Sequence, residues 1–322
     1  MNTFGNIFKV SLFGESHGAC VGVVVDGCPA GIKLNEQLFT TDLSRRKAGP
    51  AGTTQRHESD IPQIVSGVYN GFTTGTPITL LFHNQDINSA DYAQTTHIPR
   101  PGHSDFVALK KYHGFADLRG GGHFSGRLTV ALTAAGVIAK EIIKPAHITA
   151  RLIEAGGSAD IAKQVAEATQ QKDSIGGVIA CHINELPIGI GAPFFDGLES
   201  VISHAVFAIP GIKAIAFGTG FESASMKGSE HNDVIINETG TTKTNHAGGI
   251  NGGISNGNEI YFRVAVKPTP SIGAPQHTFN FTTKTMDTLT IEGRHDVCFA
   301  LRLPPVVEAA TAIALADLWL QK

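Results

Sequence analysis

Cysteine is scarce in this chain and shows no pairing pattern. Cys20, Cys28, Cys181 and Cys298 form no CxxC spacing, which counts against a zinc knuckle or a disulfide framework and for reduced thiols in the cytoplasm. Long apolar runs are missing as well: nothing reaches the roughly 18 consecutive apolar residues that suggest a membrane span. The N-terminal MNTFGNIFKVSLFGE has no charged start, apolar run or cleavage site of the kind that directs secretion. Basic blocks are absent and the net charge is −3, so a nucleic-acid partner is unsupported. Charged residues make up only 16% of the chain. The expectation is a cytoplasmic protein that acts on a small molecule, with no membrane, nucleic acid or metal among its partners.

What the sequence has in quantity is glycine and histidine, 37 and 14 of its 322 residues, within a 42% hydrophobic composition. The chain is organised around DLRGGGHFSGRLTVALTAAGVIAKEII, from Asp117 to Ile143. Nearly every position from Leu128 to Ile143 is apolar or small, which predicts a helix buried on most sides. A glycine-rich turn ahead of such a helix presents backbone N–H groups at the positive end of the helix dipole. Ser125, Arg127 and Thr129 add side-chain donors, so an anion suits the site, and a flexible capped loop is the plainer alternative.

Other turns carry candidate chemistry. Gly14-Glu15-Ser16-His17-Gly18 lies between two predicted strands, Ile7 to Gly14 and Cys20 to Asp26, and puts His17 on a loop. The stretch from Arg45 to Arg56 holds Arg45, Arg46, Lys47 and Arg56 with no acid among them. It reads as a solvated surface loop or as a lid that clamps phosphate or carboxylate, which Arg forks match in shape. In Arg100-Pro101-Gly102-His103-Ser104-Asp105 the turn is stiff and Asp105 is close enough to orient His103, which suits general acid or base work. Asn245 to Gly257 is too glycine-rich to pack by side chains and could form an anion-binding nest. Lys267-Pro268-Thr269-Pro270-Ser271 is a turn stiffened by two prolines.

Strands are predicted at Ile64 to Tyr69, Pro77 to His83, Gly177 to Ile183, Lys213 to Phe217 and Glu259 to Val266. Helices are predicted after Asn35 to about Arg46, from Asp160 to Gln171, from Gly197 to Phe207 and from Val306 to Leu320. Cys28-Pro29-Ala30-Gly31-Ile32 and Leu186-Pro187-Ile188-Gly189-Ile190 echo one another, each between a strand and a helix. The echo suggests an internal duplication in which two similar halves make one unit, residues 1–322.

Taken together, GESHG at 14–18, RPGH at 100–103, SGR at 125–127, NGGISNG at 251–257, KPTPS at 267–271 and GRHD at 293–296 resemble the chorismate synthase family, in that family's order. The resemblance runs from Phe4 to about the final helix. It implies an α+β fold, a single-domain β-α-β sandwich with internal pseudo-twofold duplication and a buried central helical layer, assembled as a homotetramer. It implies a lyase that converts 5-enolpyruvylshikimate 3-phosphate to chorismate and phosphate by 1,4-anti elimination, with reduced FMN as cofactor. An FMN-binding oxidoreductase and a non-catalytic anion-binding homologue are the alternatives.

By the same resemblance, His17, His103 and Asp296 are catalytic: His17 protonates the reduced flavin, His103 the departing phosphate, and Asp296 assists proton removal. FMN contacts fall at Ser125, Pro210, Gly211, Gly252, Lys267, Pro268, Thr269, Pro270, Ser271 and Arg294. Arg46, Arg127 and Arg294 hold substrate anions, and Arg46 matches a position assigned to NADPH, which matters only if the enzyme reduces its own flavin. The chain departs from the common pattern in having His123 for an arginine, Leu128 for a glutamate, and a basic lid that lacks an arginine near Ala51 or Gly52.

Overall fold

The structure is a computed structural model and describes residues 1–87, 97–291 and 295–322. Its two main sheets are antiparallel throughout. In the first, the order is Thr3–Phe4, Lys9–Gly14, Cys20–Asp26, Ile78–His83, Gln63–Ser66. In the second it is Ile212–Phe217, Ile260–Val266, Gly177–Asn184, His147–Ala155. Setting aside the short first strand, both sheets share one topology. The first two strands of each half are neighbours, the fourth lies beside the second, and the third takes the edge. A helix follows the second strand in each half, Thr40–Arg46 and Leu198–Phe207, and a long helix follows the fourth, Thr129–Ile142 and Pro304–Leu320. The duplication suggested by the two Pro-x-Gly-Ile turns is thus a property of the whole topology. The halves differ where strand one meets strand two. The first half has the turn bearing His17, and the second inserts the helix Ile161–Gln170, whose N-cap Asp160 accepts from Lys163 N at 3.2 Å.

The two long helices lie between the sheets, and a single buried apolar cluster runs through both sheets and both helices. Thr129–Ile142 is buried from Thr129 to Ala139 and Pro304–Leu320 from Pro305 to Leu318. Burial on all sides explains why neither sequence has a polar face. The helices approach closely because their contact uses the smallest residues. A Cβ on Gly136 would sit 2.2 Å from the Ala309 Cβ. Gly136→Ala should therefore lower unfolding free energy by about 1–3 kcal/mol, as overpacking does, despite alanine's better helix propensity. Equilibrium denaturation tests this, and unchanged or increased stability would show that the helices can separate freely.

Two local expectations are corrected. Ile64 to Tyr69 is not one strand. Gly67, at φ +79°, turns the chain where a Cβ would meet Ile78 Cα at 2.7 Å, so Gln63–Ser66 joins the sheet while Val68–Tyr69 pairs with Phe72–Thr73 in a separate ribbon. A second ribbon, Gln276–Asn280 with Thr285–Leu289, has no counterpart among the predicted strands. Its two buried positions, Asn280 and Leu289, stand one at the end of each strand and produce no apolar alternation. Among the described residues no helix is long and apolar enough to cross a membrane.

Candidate active site

Several turns, the start of Thr129–Ile142 and Ala310 and Ile313 of Pro304–Leu320 line one cavity of about 870 Å³. Residues 15–19 close the hairpin between Lys9–Gly14 and Cys20–Asp26. Ser16 donates its backbone N–H to Gly122 O at 3.0 Å, which lays this turn against the glycine run. Gly120, Gly121 and Gly122 have φ of 59°, 83° and 54°, a region that side chains resist. Space makes the same demand: a Cβ on Gly120 would lie 2.4 Å from His17 Nε2, and one on Gly122 1.8 Å from Asp117 O. A Cβ on Gly121 would stand 3.5 Å from His103 Nε2. The two imidazoles therefore flank the same glycine run, and both line the cavity.

His103 sits just before the helix Asp105–Lys111, its Nδ1 2.6 Å from Asp105 Oδ1. This is the contact expected from the spacing. Burial lowers the His103 pKa below its ordinary range; Asp105 opposes the shift, and Arg100 and Lys267 add to it. Burial alone would raise the Asp105 carboxyl, but hydrogen bonds from Arg100 and His103 outweigh it and hold the group well below the usual range. The turn 267–271 packs against the same segment: Lys267 Nζ donates to Gly102 O, and Ser271 Oγ accepts from Arg100 Nη1 at 3.0 Å.

Arginines gather at the helix starts. Arg46 donates from Nη1 to Asp60 Oδ2 at 2.7 Å and from Nε to Thr129 Oγ1 at 3.0 Å. Arg127 binds the other Asp60 oxygen and donates from Nε to Asn84 Oδ1 at 2.9 Å. Arg302 Nη1 donates to both Asp296 oxygens at 3.1 Å, while its Nε donates to Arg46 O at 3.2 Å. Arg127 and Arg302 each stand two residues ahead of a central helix, which makes them counterparts under the duplication. Burial lowers the Arg46 pKa; Asp60 opposes this, and the nearby charges of Arg302 and Arg127 reinforce it. The lining holds seven lysines and arginines against four aspartates and glutamates, in a chain whose net charge is −3. The cavity therefore favours an anion, the more so because its desolvated walls screen charge weakly.

Most of the expected site residues meet here. His17, His103, Asp296, Arg46, Ser125, Arg127, Pro210, Gly211 and all of Lys267 to Ser271 line the cavity. Gly252 does not. It lies in the turn of the small hairpin formed by Ile250–Asn251 and Ile254–Ser255, with φ +62° and open space around it. Arg294 lies outside the described residues. Of the basic stretch, Arg46, Lys47 and Arg56 line the cavity. Arg45 turns inward to Glu308, at 2.8 and 2.7 Å, and Arg56 holds Glu58 and Ser16. Acids placed just beyond the basic stretch neutralise much of it. His123, in the place of an arginine, uses Nδ1 on Gly14 O at 2.9 Å and so ties the glycine run to the first sheet. Asp60 and Arg302 had no assigned part in the sequence reading. Asp60 follows the lid too closely to stand out as a motif, and Arg302 was legible only as the duplicate of Arg127.

Two sheets of repeated topology, with turns and both central helices converging on a cationic cavity that holds two imidazoles, define an anion-handling enzyme of the duplicated β-α-β sandwich class. A family model for chorismate synthase matches residues 8–320. A chorismate synthase of Chitinophaga pinensis is 56% identical over 321 residues, covering 99% of this chain and 97% of that protein. One of Dehalococcoides mccartyi is 43% identical over 352 aligned positions, covering 99% and 97%. A solved structure of a chorismate synthase aligns with TM-score 0.75 over 99% of this chain and 93% of its own, at 24% identity, which speaks for the fold. The chain belongs to the chorismate synthase family.

Proposed function

We propose that this chain is a lyase that converts 5-enolpyruvylshikimate 3-phosphate to chorismate and phosphate by 1,4-anti elimination, with reduced FMN as cofactor. The observation that carries the reading is that His17 and His103 line one cavity and both stand against the same glycine run. A substrate with one phosphate and two carboxylates fits the cationic lining.

The residues present fit a flavin nucleotide. Thr269 Oγ1 is buried with no hydrogen-bond partner among the described residues, on a turn that also carries Lys267 and Ser271 and lines the cavity. A phosphate oxygen at this turn satisfies it. Leu132, Pro210, Ile212 and Phe299 give the same cavity apolar walls for a ring system. Ser125, Pro210, Gly211 and Lys267 to Ser271 hold the cofactor. Reduced FMN, when bound, lends the electron density that helps expel phosphate and recovers it as the hydrogen leaves. His103 Nε2 gives a proton to the departing phosphate. His17, on the cavity wall, would supply the proton that the reduced flavin takes up. Asp296, which accepts from Arg302 Nη1 at 3.1 Å and from the Thr54 N–H at 2.9 Å, assists removal of the substrate hydrogen. Arg46 and Arg127 fix the substrate's anionic groups beside Asp60. The active unit is one domain, assembled as a homotetramer in the cytoplasm.

Arg46, the position matched to NADPH in the family, is 3% exposed and tied to Asp60 and Thr129. The missing arginine near Ala51 or Gly52 supports a chain that receives its flavin already reduced. Anaerobic protein with dithionite-reduced FMN should form chorismate and release phosphate, whereas oxidised FMN plus NADPH should give none. Absence of turnover with reduced FMN would remove the lyase reading. Turnover with NADPH alone would show that the lid still receives a nicotinamide nucleotide.

A further inference from the structure

His103 stands at the end of a buried chain of charges. Asp105 is 0% exposed in its side chain and Arg100 4%. Arg100 grips Asp105 with a two-pronged fork, Nε to Oδ2 and Nη2 to Oδ1, both at 2.7 Å. Its backbone N–H adds a third contact at 3.2 Å, and its Nη1 donates to Ser271 Oγ at 3.0 Å. Oδ1 of Asp105 is also the atom 2.6 Å from His103 Nδ1. A second contact, Arg100 Nη2 to His103 Nδ1 at 3.0 Å, competes with it, because Nδ1 can donate to the carboxylate or accept from the guanidinium but not both. The shorter, charge-assisted bond is to the carboxylate. Nδ1 therefore carries the hydrogen, and Nε2 presents a lone pair toward Gly121 and the cavity.

We propose that Asp105 and Arg100 are positioning residues of the elimination. Asp105 fixes His103 as the Nδ1–H tautomer, whose Nε2 takes up a proton when an anion arrives and then delivers it. Arg100 keeps Asp105 ionised and, through Ser271, holds the imidazole in register with the turn at 267–271. The charged groups facing His103 are Asp105 and Arg100 from its own segment and Lys267 from the facing turn, and the glycine run contributes only backbone. Of these only Asp105 stabilises the imidazolium. A ring carrying its hydrogen on Nε2 would instead be a donor in the free protein and could not gain a proton there. The Asp–His pairing follows the logic by which a buried carboxylate sets a catalytic imidazole in hydrolytic triads. As in those triads the carboxylate does not take the proton itself; here a buried guanidinium fork holds it ionised.

The assignment rests on the lyase reading for its catalytic meaning, but its structural content can be read without substrate. Protein labelled with ¹⁵N in its histidine rings, with His103 assigned by loss of its signal in His103→Gln, should show an Nδ1-protonated His103. In Asp105→Asn the tautomer preference should disappear and the titration should move down by about one unit or more, since a close carboxylate is worth that much to an imidazolium. Under turnover with reduced FMN, the same variant should lose activity toward high pH about one unit earlier than the wild type, with a lower kcat, while FMN affinity stays within about threefold. Arg100→Lys should keep the charge but lose the fork, so kcat falls with the titration displaced. An Nε2–H tautomer in the wild type, or a His103 titration and pH profile unmoved in Asp105→Asn, would overturn the proposal. A rate loss without any such movement would show that Asp105 only holds the turn together. A wild-type protein that shows the tautomer but no turnover would count against the lyase reading alone.

Discussion

His103→Ala should lower kcat for phosphate release by roughly 10²–10⁴-fold, the usual cost of losing a positioned acid, with FMN binding retained. The site predicts the pH behaviour as well. Burial keeps the free imidazole below its ordinary pKa, so it is mostly neutral near pH 7. The charge of an arriving phosphate opposes this, because negative charge beside Nε2 favours the imidazolium. Substrate binding should therefore take up a proton, and affinity should weaken by up to about tenfold per unit as pH rises above neutrality. Calorimetric titration in buffers of different ionisation enthalpy reads that uptake directly, and the alanine variant should abolish it. Turnover within about threefold of wild type would leave the proton to some other donor.

Glu308→Ala should destabilise the fold by about 1–3 kcal/mol, the cost of leaving the buried Ala150 N–H without its acceptor and of losing the charge-assisted bonds to Arg45 and Lys140. Glu308 is 2% exposed on the C-terminal helix. Its carboxylate receives both Arg45 prongs, Lys140 Nζ at 2.9 Å and the backbone N–H of Ala150 at 2.8 Å. One group thereby joins the first helix, both central helices and the edge strand of the second sheet. Burial alone would raise its pKa, but hydrogen bonding from Arg45 and the charge of Lys140 bring it below the ordinary 4.5. For a carboxyl depressed in the folded state, the stabilisation is full above the unfolded value and fades as pH falls through the folded one. Chemical denaturation at fixed protein concentration should show the loss near pH 7 and a smaller difference in acid. Equal stability of variant and wild type at pH 7 would mean that Arg45 and Lys140 escape to water when released. Because Glu308 is absent from the cavity lining, residual folded variant should still bind FMN.

The features that could be read from the chain share one property: each is local. Burial of Thr129–Ile142 and Pro304–Leu320 follows from uninterrupted apolar and small residues. The duplication was visible because each Pro-x-Gly-Ile turn sits at the same place between strand and helix. His103 and Asp105 are two residues apart, and their contact follows from that spacing. The ribbon Gln276–Asn280 with Thr285–Leu289 is not legible in the sequence because its buried residues, Asn280 and Leu289, form no apolar alternation.

Motif order and turn chemistry were sufficient to identify the family, the two imidazoles and the stiff turns that line the cavity, since those depend on residues adjacent in sequence. Which acid neutralises which arginine was decided by the tertiary structure. Asp60 reaches Arg46 across 14 positions and Arg127 across 67, and Arg45 reaches Glu308 across 263. No periodicity encodes partners so far apart. Only the packing of the two halves about their central helices brings them within hydrogen-bonding distance, and burial there makes each pairing compulsory.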